Sequence, residues 1–167
     1  MKRPATPIHN VLNNIPSEVG FAWDEQPTNP GIHSTQRVLI AEDDPALRSL
    51  MVKLLVFEGY FVTEVVDALE MLDAVQVSHN RREAPFDLIV TDVRMPGLTG
   101  LDALAILRQS GCTTPAIIVS ALPGEMVQPD IPVRNAFFLP KPFALENLRR
   151  IANRVVRGES HQTSSVT

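Results

Sequence analysis

The feature that most constrains the fold of this chain is an alternation of short apolar runs with longer segments whose apolar residues recur every three or four positions. Short apolar runs bounded by polar or turn residues are typical of strands buried on both faces, and the longer segments are typical of amphipathic helices. The alternation therefore predicts an α/β fold, in which helices cover both faces of a parallel sheet. Five strands are predicted, at residues 38–41, 61–66, 88–91, 116–120 and 136–139.

The first predicted helix has the best-defined ends. Asp44 is a suitable N-cap, Pro45 takes the first helical position, where its missing N–H costs no hydrogen bond, and Gly59 lies just beyond the end. Its apolar side chains recur at helical spacing, at Leu47, Leu50, Met51, Leu54 and Leu55. Three more helices are predicted, at residues 68–77, 101–109 and 144–157.

The segment between the fourth and fifth predicted strands departs from the alternation. A regular pattern would place a helix there, but Pro123, Pro129 and Pro132 each remove a backbone donor and restrict φ. We therefore expect a degenerate fourth helix of one or two turns at most. The polar stretch 78–85, ahead of the third strand, is expected to be a lengthened surface loop.

The two ends of the chain differ in composition from its middle. Residues 1–36 hold five prolines among Asn, Ser and Thr and are predicted to form a proline-rich, partly disordered arm. Residues 158–167 are polar and are predicted to be a disordered tail, which leaves residues 37–157 as the folded domain. The arm is compatible with a mobile tail and with docking on the domain or on a partner. Docking is suggested by its apolar residues, Val11, Leu12, Ile15, Val19, Phe21 and Trp23.

Composition argues against several classes of function. Fifteen Lys and Arg against 19 Asp and Glu give a net charge of −4, which disfavours a broadly basic surface for nucleic acid or membrane. The single cysteine, Cys112, has neither a disulfide partner nor a zinc motif, which favours a reducing compartment. No apolar stretch approaches the roughly 18 residues of a membrane span, and no signal peptide is recognisable. We expect a cytoplasmic protein that binds neither membrane nor, within this chain, nucleic acid.

Polar side chains gather where the predicted strands end. In an open parallel sheet, ligands bind beyond the carboxyl ends of the strands, where the strand order reverses. Crowded carboxylates repel one another unless a cation joins them, and hard oxygen ligands suit Mg²⁺. With that ion, Asp92 is expected to attack a phosphoryl group while Lys141 and Ser120 bind the developing charge, which yields an aspartyl phosphate. The residues expected at this edge are Glu42, Asp43, Asp44, Asp92, Ser120 and Lys141.

Four stretches of the chain resemble the receiver domain of bacterial two-component response regulators. They are VLIAEDDPALRSLM, DLIVTDVRMPGLTGLDAL, PAIIVSA and FFLPKPF, and the resemblance covers residues 37–157. It implies a flavodoxin-like, doubly wound sheet of five parallel strands in the order 2-1-3-4-5. It also implies a phosphorelay, in which a histidine kinase or phosphotransfer protein donates the phosphoryl group and a downstream protein, not identified by the sequence, responds to it.

The resemblance implies a metal site around the phosphoacceptor. Asp92 corresponds to the residue that becomes phosphoaspartate, and it is also a metal ligand. Glu42 and Asp43 correspond to the acidic pair that binds Mg²⁺. The backbone carbonyl of Arg94, two residues after the phosphoacceptor, is implied as a further ligand. Asp44 is expected to act as the helix N-cap alone.

The resemblance also implies how the phosphoryl group is recognised and sensed. Lys141 and Ser120 correspond to the residues that contact the phosphoryl group during catalysis. Ser120 and Phe138 correspond to the switch residues that carry its presence to the protein surface. A cis peptide bond is implied between Lys141 and Pro142, which is an isomer that X-Pro bonds adopt at modest cost.

A domain with these residues has three candidate functions. The first is a single-domain response regulator that signals by binding another protein, since no effector domain is expected after residue 157. Such a domain catalyses its own phosphorylation and dephosphorylation and is otherwise not an enzyme. The second, a phosphatase of the haloacid dehalogenase type, requires an aspartate where this chain has Arg94 and is rejected. The alternative that stays open is a pseudo-receiver, which keeps the fold as a binding scaffold without being phosphorylated; the complete set of site residues disfavours it.

Overall fold

The structure is a computed structural model that describes residues 36–121 and 135–157. Three predicted features lie outside the described residues, namely the arm before Gln36, the degenerate helix within 122–134 and the tail at 158–167. None of the helices in the two described ranges is long and apolar enough to cross a membrane. The elements in chain order are β1 (Arg37–Ala41), α1 (Pro45–Phe57), β2 (Phe61–Val65), α2 (Ala68–Asn80), β3 (Leu88–Asp92), α3 (Gly100–Gln109), β4 (Ala116–Ser120), β5 (Ala136–Pro140) and α4 (Leu145–Val156).

The five strands form one parallel sheet in the order β2-β1-β3-β4-β5. This arrangement confirms the predicted flavodoxin-like, doubly wound α/β fold. The chain builds outward from β1 to β2, then crosses back to place β3 on the other side of β1, so the strand order reverses between β1 and β3. Ala41 at the end of β1 pairs with Thr91 near the end of β3, which brings the residues that follow both strands to the same edge.

Apolar side chains cover both faces of the sheet because successive residues of a strand point to opposite sides. In β1, Val38 and Ile40 pack into the cluster that includes residues of α1 and α4, whereas Leu39 and Ala41 pack into the cluster that includes residues of α2 and α3. All four side chains are fully buried. A strand with two buried faces must be apolar throughout, which explains why the sequence shows continuous runs instead of alternation.

The first helix begins and ends where its sequence predicts. The Asp44 side chain accepts hydrogen bonds from the backbone N–H groups of Ala46 at 2.8 Å and Leu47 at 2.9 Å. These bonds hold the pKa of the Asp44 carboxyl below its ordinary value. At the other end, Gly59 adopts a φ of +93°, a conformation that glycine tolerates without a Cβ clash.

The second helix is longer than predicted. It continues to Asn80, so its last turn occupies part of the stretch expected to be a loop. The Ser78 hydroxyl in that turn is buried, donates to the Ala84 carbonyl at 3.3 Å and accepts from Arg37 at 3.0 Å. The Arg37 guanidinium also binds the Ala84 carbonyl directly. Because Arg37 comes from β1, 41 residues away in the chain, the local pattern held no sign of this extension.

Candidate functional site

Three carboxylates meet at the carboxyl edge of the sheet. Glu42 and Asp43 follow β1, and Asp92 is the last residue of β3. One oxygen from each lies within 4.8 Å of the other two. Glu42 and Asp92 are buried, whereas Asp43 is exposed. The structure thus brings together the three acidic side chains that the sequence placed at this edge.

Lys141 enters the same pocket from β5. Its Nζ donates to Asp92 Oδ2 at 2.9 Å and to Glu42 Oε2 at 3.0 Å. Its backbone N–H donates to the Ser120 carbonyl at 2.7 Å, and the Lys141-Pro142 peptide bond is cis, as the resemblance implied. A single ammonium therefore joins the ends of three strands that are far apart in the chain.

The charges in this pocket do not balance. Burial raises the pKa of Glu42, the nearby Asp92 charge raises it further, and the hydrogen bond from Lys141 opposes both effects. Burial alone would lower the pKa of Lys141, but its hydrogen bonds to Asp92 and Glu42 outweigh burial and raise it. The lysine is therefore firmly protonated, and one positive charge faces a cluster of three carboxylates. An additional cation would relieve the repulsion, and oxygen donors of this kind fit Mg²⁺.

An arginine holds the turn that carries the acidic pair. Arg48, in α1, donates through Nη1 to the Glu42 carbonyl at 2.7 Å and to the Asp43 carbonyl at 3.4 Å. Its Nε donates to Glu64 Oε2, in β2, at 3.2 Å. The turn is thereby tied to a helix and to a neighbouring strand. The role of Glu64 has no signal in the local sequence, because the contact joins a strand and a helix across 16 residues.

The backbone of Asp92 is restrained by a close packing contact. A Cβ placed on Gly100, the first residue of α3, would lie 1.9 Å from the Asp92 carbonyl oxygen and 2.5 Å from Thr91 Oγ1. The Thr91 hydroxyl donates to that same carbonyl at 3.0 Å, and the Arg94 N–H donates to Asp92 Oδ1 at 3.3 Å. Only glycine allows α3 to begin this close to β3, so position 100 helps to set the position of the candidate phosphoacceptor.

The two residues predicted to act as a switch lie on neighbouring strands. Ser120 is buried at the end of β4, opposite Pro140 in β5. Phe138 lies earlier in β5, opposite Ile118, and is 47% exposed. Phe138 therefore lies on an edge strand of the sheet, two residues before the residue that pairs with Ser120.

Comparison with known proteins shows which family this domain belongs to. Residues 38–153 match the family model described as the response regulator receiver domain. The chain belongs to this family. The receiver domain is 36% identical over 115 residues to the response regulator MprA of Mycobacterium sp. strain KMS, an alignment that covers 67% of this chain and 46% of that protein. The chain therefore spans about half the length of the curated relatives it matches.

Solved structures give the same assignment. The receiver domain of the Francisella response regulator 1452 matches with a TM-score of 0.65 and 28% identity, over 75% of this chain and all of that one (100%). The Vibrio cholerae chemotaxis protein CheY4 matches with a TM-score of 0.63 and 29% identity, over 72% of this chain and 98% of that one. Residues 38–153 thus form a receiver domain of two-component signalling, a class of domain that in general signals and is not an enzyme.

Proposed function

We propose that this receiver domain accepts a phosphoryl group on Asp92 in a Mg²⁺-dependent reaction and that phosphorylation changes its affinity for another protein. The phosphohistidine of a histidine kinase or of a phosphotransfer protein is the proposed donor. The observation that carries the proposal is the convergence of three carboxylates and one ammonium at the edge of the sheet, with Asp92 in contact with Lys141. A carboxylate nucleophile, a cation site and a fixed ammonium are the groups that phosphoryl transfer to an aspartate requires.

The carboxylates of Glu42, Asp43 and Asp92 and the backbone carbonyl of Arg94 are the proposed Mg²⁺ ligands. When bound, the ion neutralises charge on the carboxylates and on the incoming phosphoryl oxygens. The exposed position of Asp43 supports the proposal, because a cation can approach the pocket from that side. Arg48 restrains the turn that carries the acidic pair by donating to the Glu42 and Asp43 carbonyl groups.

The transfer itself needs one nucleophile and one leaving group. A carboxylate oxygen of Asp92 attacks the phosphorus atom of the phosphohistidine, and the P–N bond breaks as the P–O bond forms. The electron pair leaves with the imidazole nitrogen, which takes up a proton from solvent, and the product is an aspartyl phosphate. Lys141 transfers its hydrogen bond from the Asp92 carboxylate to a phosphoryl oxygen, and the Ser120 hydroxyl donates to another.

We propose that the structural change caused by phosphorylation is transmitted to the surface through β4 and β5. A Ser120 side chain drawn toward the phosphoryl group would change the packing between the end of β4 and β5. Phe138, half exposed on the edge strand, is the side chain in position to change its rotamer in response. A protein that binds this edge would then distinguish the two states of the domain.

Incubation with acetyl phosphate and Mg²⁺, followed by intact-mass measurement, tests the proposal. We expect the mass of one phosphoryl group to be added, and we expect the addition to be lost with EDTA and in Asp92→Asn. Asp73→Asn is the matched control, because Asp73 is an exposed aspartate on α2, and it should be modified normally. An unchanged mass of the wild-type protein, or an adduct that persists in Asp92→Asn, would overturn the proposal and support the scaffold alternative.

A further inference from the structure

Helix α1 carries an apolar stripe that the described part of the chain leaves partly exposed. The stripe consists of Leu47, Leu50, Leu54 and Phe57, whose spacing of three, four and three residues places them along one side of the helix. Leu50 is 49% exposed and Phe57 is 48% exposed. Leu47 and Leu54 are only partly buried, where they pack against the edge of the core. The α1 stripe therefore extends the hydrophobic core onto the surface over the full length of the helix.

The N-terminal arm joins the domain close to one end of this stripe. The arm precedes Gln36, whose carbonyl accepts a hydrogen bond from the Phe61 N–H at 2.9 Å. Arg37 is paired with Phe61 at the start of β1 and β2, and Phe57 ends α1 only four positions before Phe61. The point where the arm enters the sheet and the Phe57 end of the α1 stripe thus belong to the same end of the molecule.

The arm has both the length and the chemistry to cover the stripe. An extended chain of 13 residues, the separation of Trp23 and Gln36, spans up to about 45 Å. Helix α1, with 13 residues, is about 20 Å long, so Phe21 and Trp23 can reach any part of the stripe. Aromatic side chains bury the largest apolar area per residue, and Trp23 is the only tryptophan in the chain.

We propose that the N-terminal arm binds the α1 stripe of its own molecule, with Phe21 and Trp23 as the main contacts. Covalent attachment favours the arm over a second copy or a separate protein, because a tethered segment has a high effective concentration at a site within its reach. The α1 stripe begins at Leu47, three residues after the N-cap Asp44, so the end of the stripe farther from the arm lies close in the chain to the acidic turn. This proposal goes beyond phosphoryl transfer and does not depend on it.

The fluorescence of Trp23 in the full chain tests this proposal, because no other tryptophan contributes. In the wild-type protein we expect emission at shorter wavelength, and weaker quenching by acrylamide, than in the urea-unfolded chain. The double variant Leu50→Gln with Phe57→Gln should shift the emission to longer wavelength and raise the quenching constant to that of the unfolded chain. Leu50→Gln alone should raise the quenching constant by a smaller amount.

The matched control is Ile106→Gln, which removes an apolar side chain of 44% exposure from α3 instead of α1. Glutamine is a good helix former, so circular dichroism and thermal melting should show that all the variants are folded. Equal quenching in the wild type and the double variant would overturn the proposal, as would an equal rise in Ile106→Gln. Protection of Trp23 that disappears on dilution would assign the contact to a second copy and overturn binding within one molecule.

Discussion

Lys141 and Glu42 are separated by 99 residues in the chain, yet Lys141 Nζ lies 3.0 Å from Glu42 Oε2. The same ammonium lies 2.9 Å from Asp92 Oδ2. The lysine therefore links a proposed metal ligand to the proposed phosphoacceptor, and its single positive charge contacts both buried carboxylates. Any reaction at Asp92 has to redirect this ammonium, which makes Lys141 the first residue to test.

Replacing Lys141 with alanine should lower the stability of the protein and leave its Mg²⁺ affinity in place. Lys141→Ala leaves Glu42 and Asp92 buried without their shared partner, so the free energy of unfolding in the absence of Mg²⁺ should fall by about 1–3 kcal/mol. Urea denaturation with and without Mg²⁺ measures this, and the ion should restore part of the loss. Phosphorylation by acetyl phosphate should slow, whereas Mg²⁺ affinity measured by calorimetry should persist. Lys53→Ala, at an exposed position on α1, is the control. Loss of Mg²⁺ affinity in Lys141→Ala would contradict the role assigned to the ammonium.

Removing the arginine behind the acidic turn should weaken metal binding without touching a ligand. Arg48→Ala releases the Glu42 and Asp43 carbonyls, and Mg²⁺ affinity should fall about tenfold, as it does when groups that orient metal ligands are removed. Glu64→Gln, which keeps the arginine but loses its ion pair, should have a smaller effect in the same titration calorimetry. Arg81→Ala, whose side chain is 71% exposed, should leave the affinity unchanged. An unaltered affinity in Arg48→Ala would show that the turn holds its shape without this contact.

A methyl group at position 100 should disturb the phosphoacceptor. Gly100→Ala forces a Cβ into the Asp92 carbonyl, and overpacking of this kind costs about 1–3 kcal/mol. Because the strain falls on the backbone of Asp92, Mg²⁺ affinity should fall as well. Gly111→Ala is the control: its φ of +87° makes alanine unfavourable there by about 1–2 kcal/mol, but no described atom beyond the adjacent residues lies within 4 Å of the added Cβ. Calorimetric titration should find Mg²⁺ binding intact in Gly111→Ala, and equal binding in both variants would count against the packing argument.

The only tyrosine offers a prediction about alkaline pH. Burial, aided by the charge of Glu58, raises the pKa of Tyr60 to about 12. In the unfolded chain the tyrosine phenol has a pKa of about 10. Between pH values equal to these two pKa values, the unfolded chain loses a proton that the folded chain retains. The free energy of unfolding therefore decreases by about 2–3 kcal/mol as pH rises through this range. The ultraviolet absorbance of tyrosinate should show a midpoint near about 12 in the folded protein. Tyr60→Phe should lose less stability over the same range than the wild type, and a folded midpoint near about 10 would refute the prediction.

Most of the secondary structure could be predicted because its signals are local. The cap at Asp44, the proline at position 45 and the glycine at position 59 act within a turn of the residues they affect, and α1 has the bounds they indicate. The five predicted strands agree with the observed ones to within one residue at each end. The end of α2 was predicted three residues early, because Ser78 is held by Arg37 from another strand.

The candidate site also combines features that the sequence predicts with features that only the folded chain shows. The order of motifs along the chain was enough to place Glu42, Asp43, Asp92, Ser120 and Lys141 at one edge, because parallel strands end on the same side of a sheet. Three features depended on the folded chain: the lysine that bridges Glu42 and Asp92, the Glu64 partner of Arg48, and the exposure of Leu50 and Phe57 on α1. Each is set by distances between segments that folding brings together, and such distances leave no trace in the spacing of residues along the sequence.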